Sequence, residues 1–208
     1  MMDAPAPASR PVTRAGRLAS RVSLAIWLPV LLTVCSYLLG GHLLTLSKPS
    51  AEGDRLAALV TNARGLDRER WFVLHILYKD CRCSQRVLEH LIARHASAGI
   101  RERIVLVGES HDLAARVTAA GFEIDTLTSD QLERRYGVQA APLMIASDPS
   151  NHIRYVGGYT DRKQGPIFRD LEITARLARG ETVAPLPLFG CAVSAKLEAK
   201  VDPLGLRR

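Results

Sequence analysis

Methionine is nearly absent from this chain of 208 residues: beyond the initiating pair only Met144 occurs. A protein that handles soft metal ions through a methionine-rich segment would need one, and none is here. Aromatic residues are scarce too, at 5%. No basic stripe with interleaved aromatics appears, so the net charge of +7 does not support nucleic-acid binding. Part of that charge is local. Of 28 basic and 21 acidic residues, Arg10, Arg14, Arg17, Arg21 and Asp3 fall within the first 21 positions, leaving 24 basic against 20 acidic residues in the remainder. That balance reads as a solvated surface of mixed charge. There is no internal repeat, and 47% apolar residues are enough to bury one core of ordinary size.

Fixed charge is missing altogether from residues 22–47, where VSLAIWLPVLLTVCSYLLGGHLLTL is long enough to cross a bilayer as a helix. The four preceding arginines predict a cytoplasmic N-terminus by the positive-inside rule and place everything after Lys48 on the far side. A cleaved signal peptide is the rival, but the apolar run exceeds a typical signal core and no small-x-small cleavage site follows cleanly. Val34 is too large for the position before a lipidated Cys35. A domain held outside the cytosol sits where disulfides persist, so Cys81, Cys83 and Cys191 read as redox-competent.

The densest chemistry lies at WFVLHILYKDCRCS, residues 71–84, where an apolar strand runs into Cys81-Arg82-Cys83 at a helix start. First-turn amides are unpaired and carry partial positive charge, which stabilises a thiolate and lowers its pKa from about 8.5. Zinc would want ligands spaced Cys-x2-4-Cys and two more of them.

Residues 1–21 read as a Pro/Ala/Arg-rich disordered leader, 22–47 as a transmembrane anchor, and 48–70 as a juxtamembrane connector containing a short amphipathic helix over 51–64. From Trp71 strands and helices alternate. A helix is predicted over 83–98, closed by Gly99, then a strand at 104–107, a helix at 112–120 and an extended run at 122–127. Thr128 and Gln131 have capping-box spacing ahead of a helix over 130–136 that Gly137 ends. Strands at 143–147 and 153–156 flank a turn, which makes that pair antiparallel and the sheet mixed, and a helix follows over 166–179. The tail, 180–208, is apolar and proline-rich up to Cys191 and suits an extended segment lying on the domain.

This layout resembles the thioredoxin superfamily, and within it the membrane-anchored, exported TlpA-like and ResA-like proteins. Two blocks carry the likeness: the strand, cysteine pair and helix from Phe72 to Arg94, and the stretch YGVQAAPLMIASD at 136–148 followed by HIRYVGG at 152–158. The resemblance covers residues 71–179 and implies an α/β fold, a thioredoxin-like mixed sheet flanked by helices, preceded by one transmembrane helix. It implies a cis bond at Ala141-Pro142 opposite the catalytic cysteine, with Ala141 and Pro142 positioning the substrate strand. It also implies a single-pass protein of the bacterial inner membrane, with the thioredoxin-like domain periplasmic. The partners would be the thiols and disulfides of exported proteins, an electron donor or acceptor, and the lipid bilayer. Chemistry would rest on sulfur alone, with no cofactor and no metal.

The chain departs from the family's Cys-x-x-Cys. Either Cys81 takes the first position and Ser84 replaces the second cysteine, or Cys83 takes the second and Asp80 replaces the first; spacing from the strand favours Cys81 as nucleophile. Under that alignment the family's buried carboxylate falls on His75, which is either a proton relay or a satisfied core histidine. A peroxidatic cysteine would have threonine three positions earlier, where Tyr78 stands. A bridge between Cys81 and Cys83 would close a small, strained ring. Cys191 is either a third thiol, carried to the pair by the folded-back tail with Gly190 allowing close approach, or a lone cysteine in that tail. The leading expectation is a membrane-tethered thiol:disulfide oxidoreductase acting through Cys81 and Cys83, with Cys83 or Cys191 as resolving thiol. The alternative is a copper(I)-binding or copper-delivery protein on the same scaffold.

Overall fold

The structure, a computed structural model, describes residues 14–43, 45–66 and 69–202. Positions 1–13 of the expected leader and the last six residues of the tail lie outside the described residues. The chain divides into two compact units, one ending at Leu44 and one beginning at Thr45.

The first unit is a single helix, α1 (Arg14–Leu43), interrupted in composition only by Pro29, whose carbonyl accepts a hydrogen bond from the Thr33 hydroxyl at 2.8 Å. Helix therefore begins inside the segment read as a disordered leader. Ser20–Gly40 is long and apolar enough to cross a membrane, and a signal sequence near the N-terminus satisfies the same criterion.

The second unit begins with α2 (Asp54–Arg64), β1 (Phe72–Tyr78), α3 (Arg82–Arg94), β2 (Arg101–Val107), α4 (His111–Ala119), β3 (Glu123–Leu127) and α5 (Ser129–Tyr136). It continues with β4 (Ala140–Ala141), β5 (Leu143–Ser147), β6 (Ile153–Gly157), α6 (Asp170–Ala178), β7 (Cys191–Ala192) and α7 (Ala195–Val201). Five strands form one sheet in the order β3-β2-β1-β5-β6, and β4 pairs separately with β7. Strands β1, β2 and β3 run parallel, while β5 is antiparallel to both β1 and β6. This is the mixed sheet that the short turn after Ser147 predicts.

Strand β1 is buried on both faces, and side-chain alternation divides it between two cores. Phe72, Leu74 and Ile76 join Leu56, Leu59 and Val60 of α2 and Leu188, Val193 and Leu197 of the tail. Val73 and Leu77 face the other way, onto Val87, Leu88 and Leu91 of α3 and Ile173 and Leu177 of α6. Each of those helices presents its apolar residues at spacings of three and four, so one stripe covers the sheet.

Two segments do more than the sequence reading expects. The stretch read as a connector carries α2, which is part of the domain core. Its last residue, Arg64, is 1% exposed, and its guanidinium donates to the carbonyls of Asp148, at 2.5 Å, and Arg70. The tail read as extended also forms α7, capped by the Ser194 hydroxyl, which accepts from the Leu197 amide at 3.1 Å. Helix α3 stops at His95, which adopts a φ of 59°, before Gly99 is reached.

Candidate functional site

Strand β1, the central strand of the sheet, delivers the cysteines just past its C-terminal end. The Cys81 amide donates to the Tyr78 carbonyl at 3.1 Å and the Cys81 carbonyl accepts from the Gln85 amide at 2.9 Å, so Cys81 is the residue that caps α3. Ser84, which stands where the family motif has its second cysteine, is 1% exposed. Its hydroxyl accepts from the Tyr78 amide at 3.0 Å, tying the end of β1 to the first turn of α3.

Opposite this turn lies the Ala141-Pro142 bend, whose peptide bond is cis. The tail closes over it. Strand β7 pairs antiparallel with β4, Ala141 against Cys191 and Ala140 against Ala192, and the Val193 amide donates to the Gln139 carbonyl at 2.7 Å. That register carries Cys191 onto Cys81, and the two form a disulfide with Cα atoms 5.9 Å apart. The Cys81 sulfur also rests 3.8 Å from the Ala141 carbonyl oxygen. Cys81 is completely buried and Cys191 half-buried.

Of the two thiols that the sequence leaves open as partner of Cys81, Cys83 and Cys191, it is thus Cys191, 110 positions away, that bonds it. Cys83 is a free, half-buried thiol in the first turn of α3. It lines a small pocket with Arg86, Val87, Pro142, Tyr159 and Phe189. Burial pushes its thiol pKa up, against the opposing pull of the Lys163 and Arg86 charges. Ala141 was expected to offer its backbone to a substrate strand; that edge is occupied by the chain's own β7.

His75 is fully buried. Its Nε2 donates to Glu102 at 2.9 Å and its Nδ1 meets the Tyr159 hydroxyl at 2.8 Å, so both ring nitrogens are committed, as in a satisfied core histidine. Tyr159, rather than His75, reaches the pocket beside Cys83. Burial raises the Tyr159 hydroxyl pKa well above its ordinary value, with the Asp170 charge adding to it, so this residue acts as a neutral phenol. Glu102 also takes both forks of Arg94 and the Ser97 amide, and Arg94 in turn reaches Asp170, which pairs with His90. Burial alone would raise the Glu102 carboxyl pKa, but hydrogen bonds from His75 and Arg94 hold it well below the usual carboxylate range.

Sequence reasoning missed Tyr159, Glu102 and Phe189, because their importance depends on neighbours distant in the chain. A Tyr-Val-Gly-Gly-Tyr run at 155–159 carries no spacing signal of its own. Among the described residues no group of three or more His, Cys, Asp or Glu is gathered as a metal site.

The sheet order, the helices on both of its faces, and the proline bend facing a cysteine at the start of α3 together define a thioredoxin-like fold. No family model matches the chain, and no curated protein does. Among solved structures, a hypothetical protein from Sinorhizobium meliloti 1021 is 18% identical, with a TM-score of 0.50 over 74% of this chain and 93% of that one. An uncharacterized conserved protein from Geobacillus kaustophilus is 16% identical, with a TM-score of 0.47 over 61% and 77% of the two chains. The thioredoxin domain of a thiol-disulfide oxidoreductase from Bacteroides vulgatus is 13% identical, with a TM-score of 0.33 over 41% and 68%. The likeness to the first of these concerns the fold alone.

Proposed function

We propose that this protein is a membrane-tethered thiol:disulfide oxidoreductase that acts on exported proteins, with Cys81 and Cys191 as its redox couple. The observation that supports this reading is the Cys81–Cys191 disulfide, set between the start of α3 and the Ala141-Pro142 bend. In the oxidised state, a partner dithiol gives up two electrons and two protons and becomes a disulfide. The Cys81–Cys191 bond takes the electrons, and the two cysteines become thiols. The reverse exchange reduces a partner disulfide.

Tethering rests on the apolar stretch of α1 and the arginines at the N-terminal side of the chain. Arg10, Arg14, Arg17 and Arg21 favour a cytoplasmic N-terminus in a bacterial inner membrane and a periplasmic redox domain, a compartment in which a disulfide persists. A reporter active only outside the cytosol, fused after Arg208, is expected to be active, with the full-length protein kept in the membrane fraction through a high-salt wash. Release of a shortened soluble form would contradict the anchor.

The activity test is reduction of insulin disulfides by the full-length protein with dithiothreitol as electron source. The expected outcome is turnover above the dithiothreitol background, lost in both Cys81→Ser and Cys191→Ser. Turnover that survives in both variants would contradict the assignment of this couple.

A further inference from the structure

Resting on that reading, we propose that Cys191 is the entry cysteine: a partner thiolate attacks the Cys191 sulfur and Cys81 is the internal leaving thiolate. This is the reverse of the order expected from the sequence, where Cys81 meets the partner.

Access is the first argument. Thiol–disulfide exchange is an in-line displacement in which the attacking sulfur approaches along the S–S axis from the side opposite the leaving sulfur. Cys81 is completely buried, with its sulfur held against the Ala141 carbonyl oxygen at 3.8 Å. Cys191 lies on β7, the outer of the two paired strands, and is half-buried.

Occupancy of the proline bend is the second. A partner chain that was to reach Cys81 by lying along β4 would need the backbone of Ala141, and that backbone is already paired with Cys191. The tail is held on both sides of the site. Leu188 is 1% exposed and pairs with Leu46, and the Val193 amide is bonded to Gln139. The approach left open is from the β7 side, onto Cys191.

The identity of the leaving group is the third. Which disulfide sulfur is attacked depends partly on how well the other one leaves. Cys81 is the N-cap residue of α3, at the positive end of that helix's dipole, which favours its departure as a thiolate, whereas Cys191 sits on a two-residue strand. The step balances simply. The partner thiolate forms a bond to the Cys191 sulfur, the Cys81–Cys191 bond breaks, and its electron pair stays on Cys81. A second partner thiolate then attacks the partner sulfur in the mixed disulfide, giving the partner disulfide and the Cys191 thiolate. Because the tail is anchored on either side, the freed Cys191 remains beside Cys81, ready for the bond to form again.

The test uses the oxidised full-length protein carrying Cys83→Ser, which removes the neighbouring thiol that could shuffle the adduct. It is mixed with a single-cysteine peptide, quenched in acid at early times, alkylated, and mapped by mass spectrometry. The expected result is peptide attached to Cys191 and a newly alkylated Cys81, favoured by at least about tenfold over the opposite pattern. Peptide attached to Cys81, with Cys191 alkylated, would overturn the proposed order and leave the redox couple intact. No adduct on either cysteine would overturn the couple itself. Attachment at Cys35 is read apart, because it lies on a different peptide. The same mapping on the unsubstituted chain answers the question if the variant does not fold.

Discussion

Gly190 stands against Ala141 so closely that a Cβ on it would lie 1.9 Å from the Ala141 carbonyl oxygen and 2.6 Å from Cδ of Pro142. The contact is backbone on backbone, and neither side can swing away. Only glycine lets the tail come near enough for Cys191 to bond Cys81.

Gly190→Ala is therefore expected to push β7 outward and to destabilise the oxidised domain by about 1–3 kcal/mol, the usual cost of overpacking. The fraction of protein carrying the Cys81–Cys191 bond should fall with it. Urea unfolding under non-reducing conditions, read beside peptide mapping of the disulfide, checks both effects. An unchanged midpoint and full bridging would mean that the tail does not lie where Gly190 places it.

Loss of the disulfide makes a separate prediction. The bond joins residues 110 positions apart, so it removes much of the freedom of the unfolded chain. Cys81→Ala and Cys191→Ala should each cost about 2–5 kcal/mol. Because they abolish the same cross-link, their double variant should cost much less than the sum of the two. Cys83→Ala, which breaks no bond, should cost clearly less than either. Equal destabilisation by all three variants in denaturant melts would contradict the pairing.

The sequence made the local elements legible. Thr128, Gln131 and Gly137 mark both ends of α5, and the capping box and the left-handed Gly137 are both present, because every partner lies within one or two turns of the chain. Strand β1 and helix α3 were equally plain from a buried apolar run and a stripe at helical spacing. Helix α7 was not, since its seven residues hold one buried side chain, Leu197, too few to show a period. The role of α2 was also hidden, because an amphipathic connector and a core helix carry the same pattern until a sheet is there to receive it. Pairing of the cysteines lay furthest from view: the sequence leaves Cys83 and Cys191 both open as partner of Cys81, and the register of β7 against β4 decides for Cys191.

Acid stability should report the buried network around Glu102. Its carboxyl pKa is held well below the ordinary value of 4.5 despite burial, by His75 and Arg94. The ionised form is therefore favoured by folding. That contribution is present above about pH 4.5 and is lost as pH falls through the lower folded value. Asp170, likewise lowered, adds a second loss in the same acid range. Glu102→Gln should be less stable near neutrality by about 3 kcal/mol, since it leaves Arg94 and His75 with a neutral partner. Its stability should fall less steeply in acid, so that the two curves converge at low pH. Parallel curves across pH 2–7 in urea titrations would show that Glu102 is not the group whose protonation drives the loss.

Cys81 and Cys191, as a redox couple, should exchange between a disulfide and two thiols. Equilibrating the full-length protein in buffers of graded reduced and oxidised glutathione, then alkylating and mapping each cysteine, tests it most directly. The expected result is one reversible transition in which Cys81 and Cys191 become alkylated together, while Cys83 is alkylated at every poise. A transition that pairs Cys81 with Cys83, or a Cys81–Cys191 bond that the buffer neither breaks nor re-forms, would contradict it.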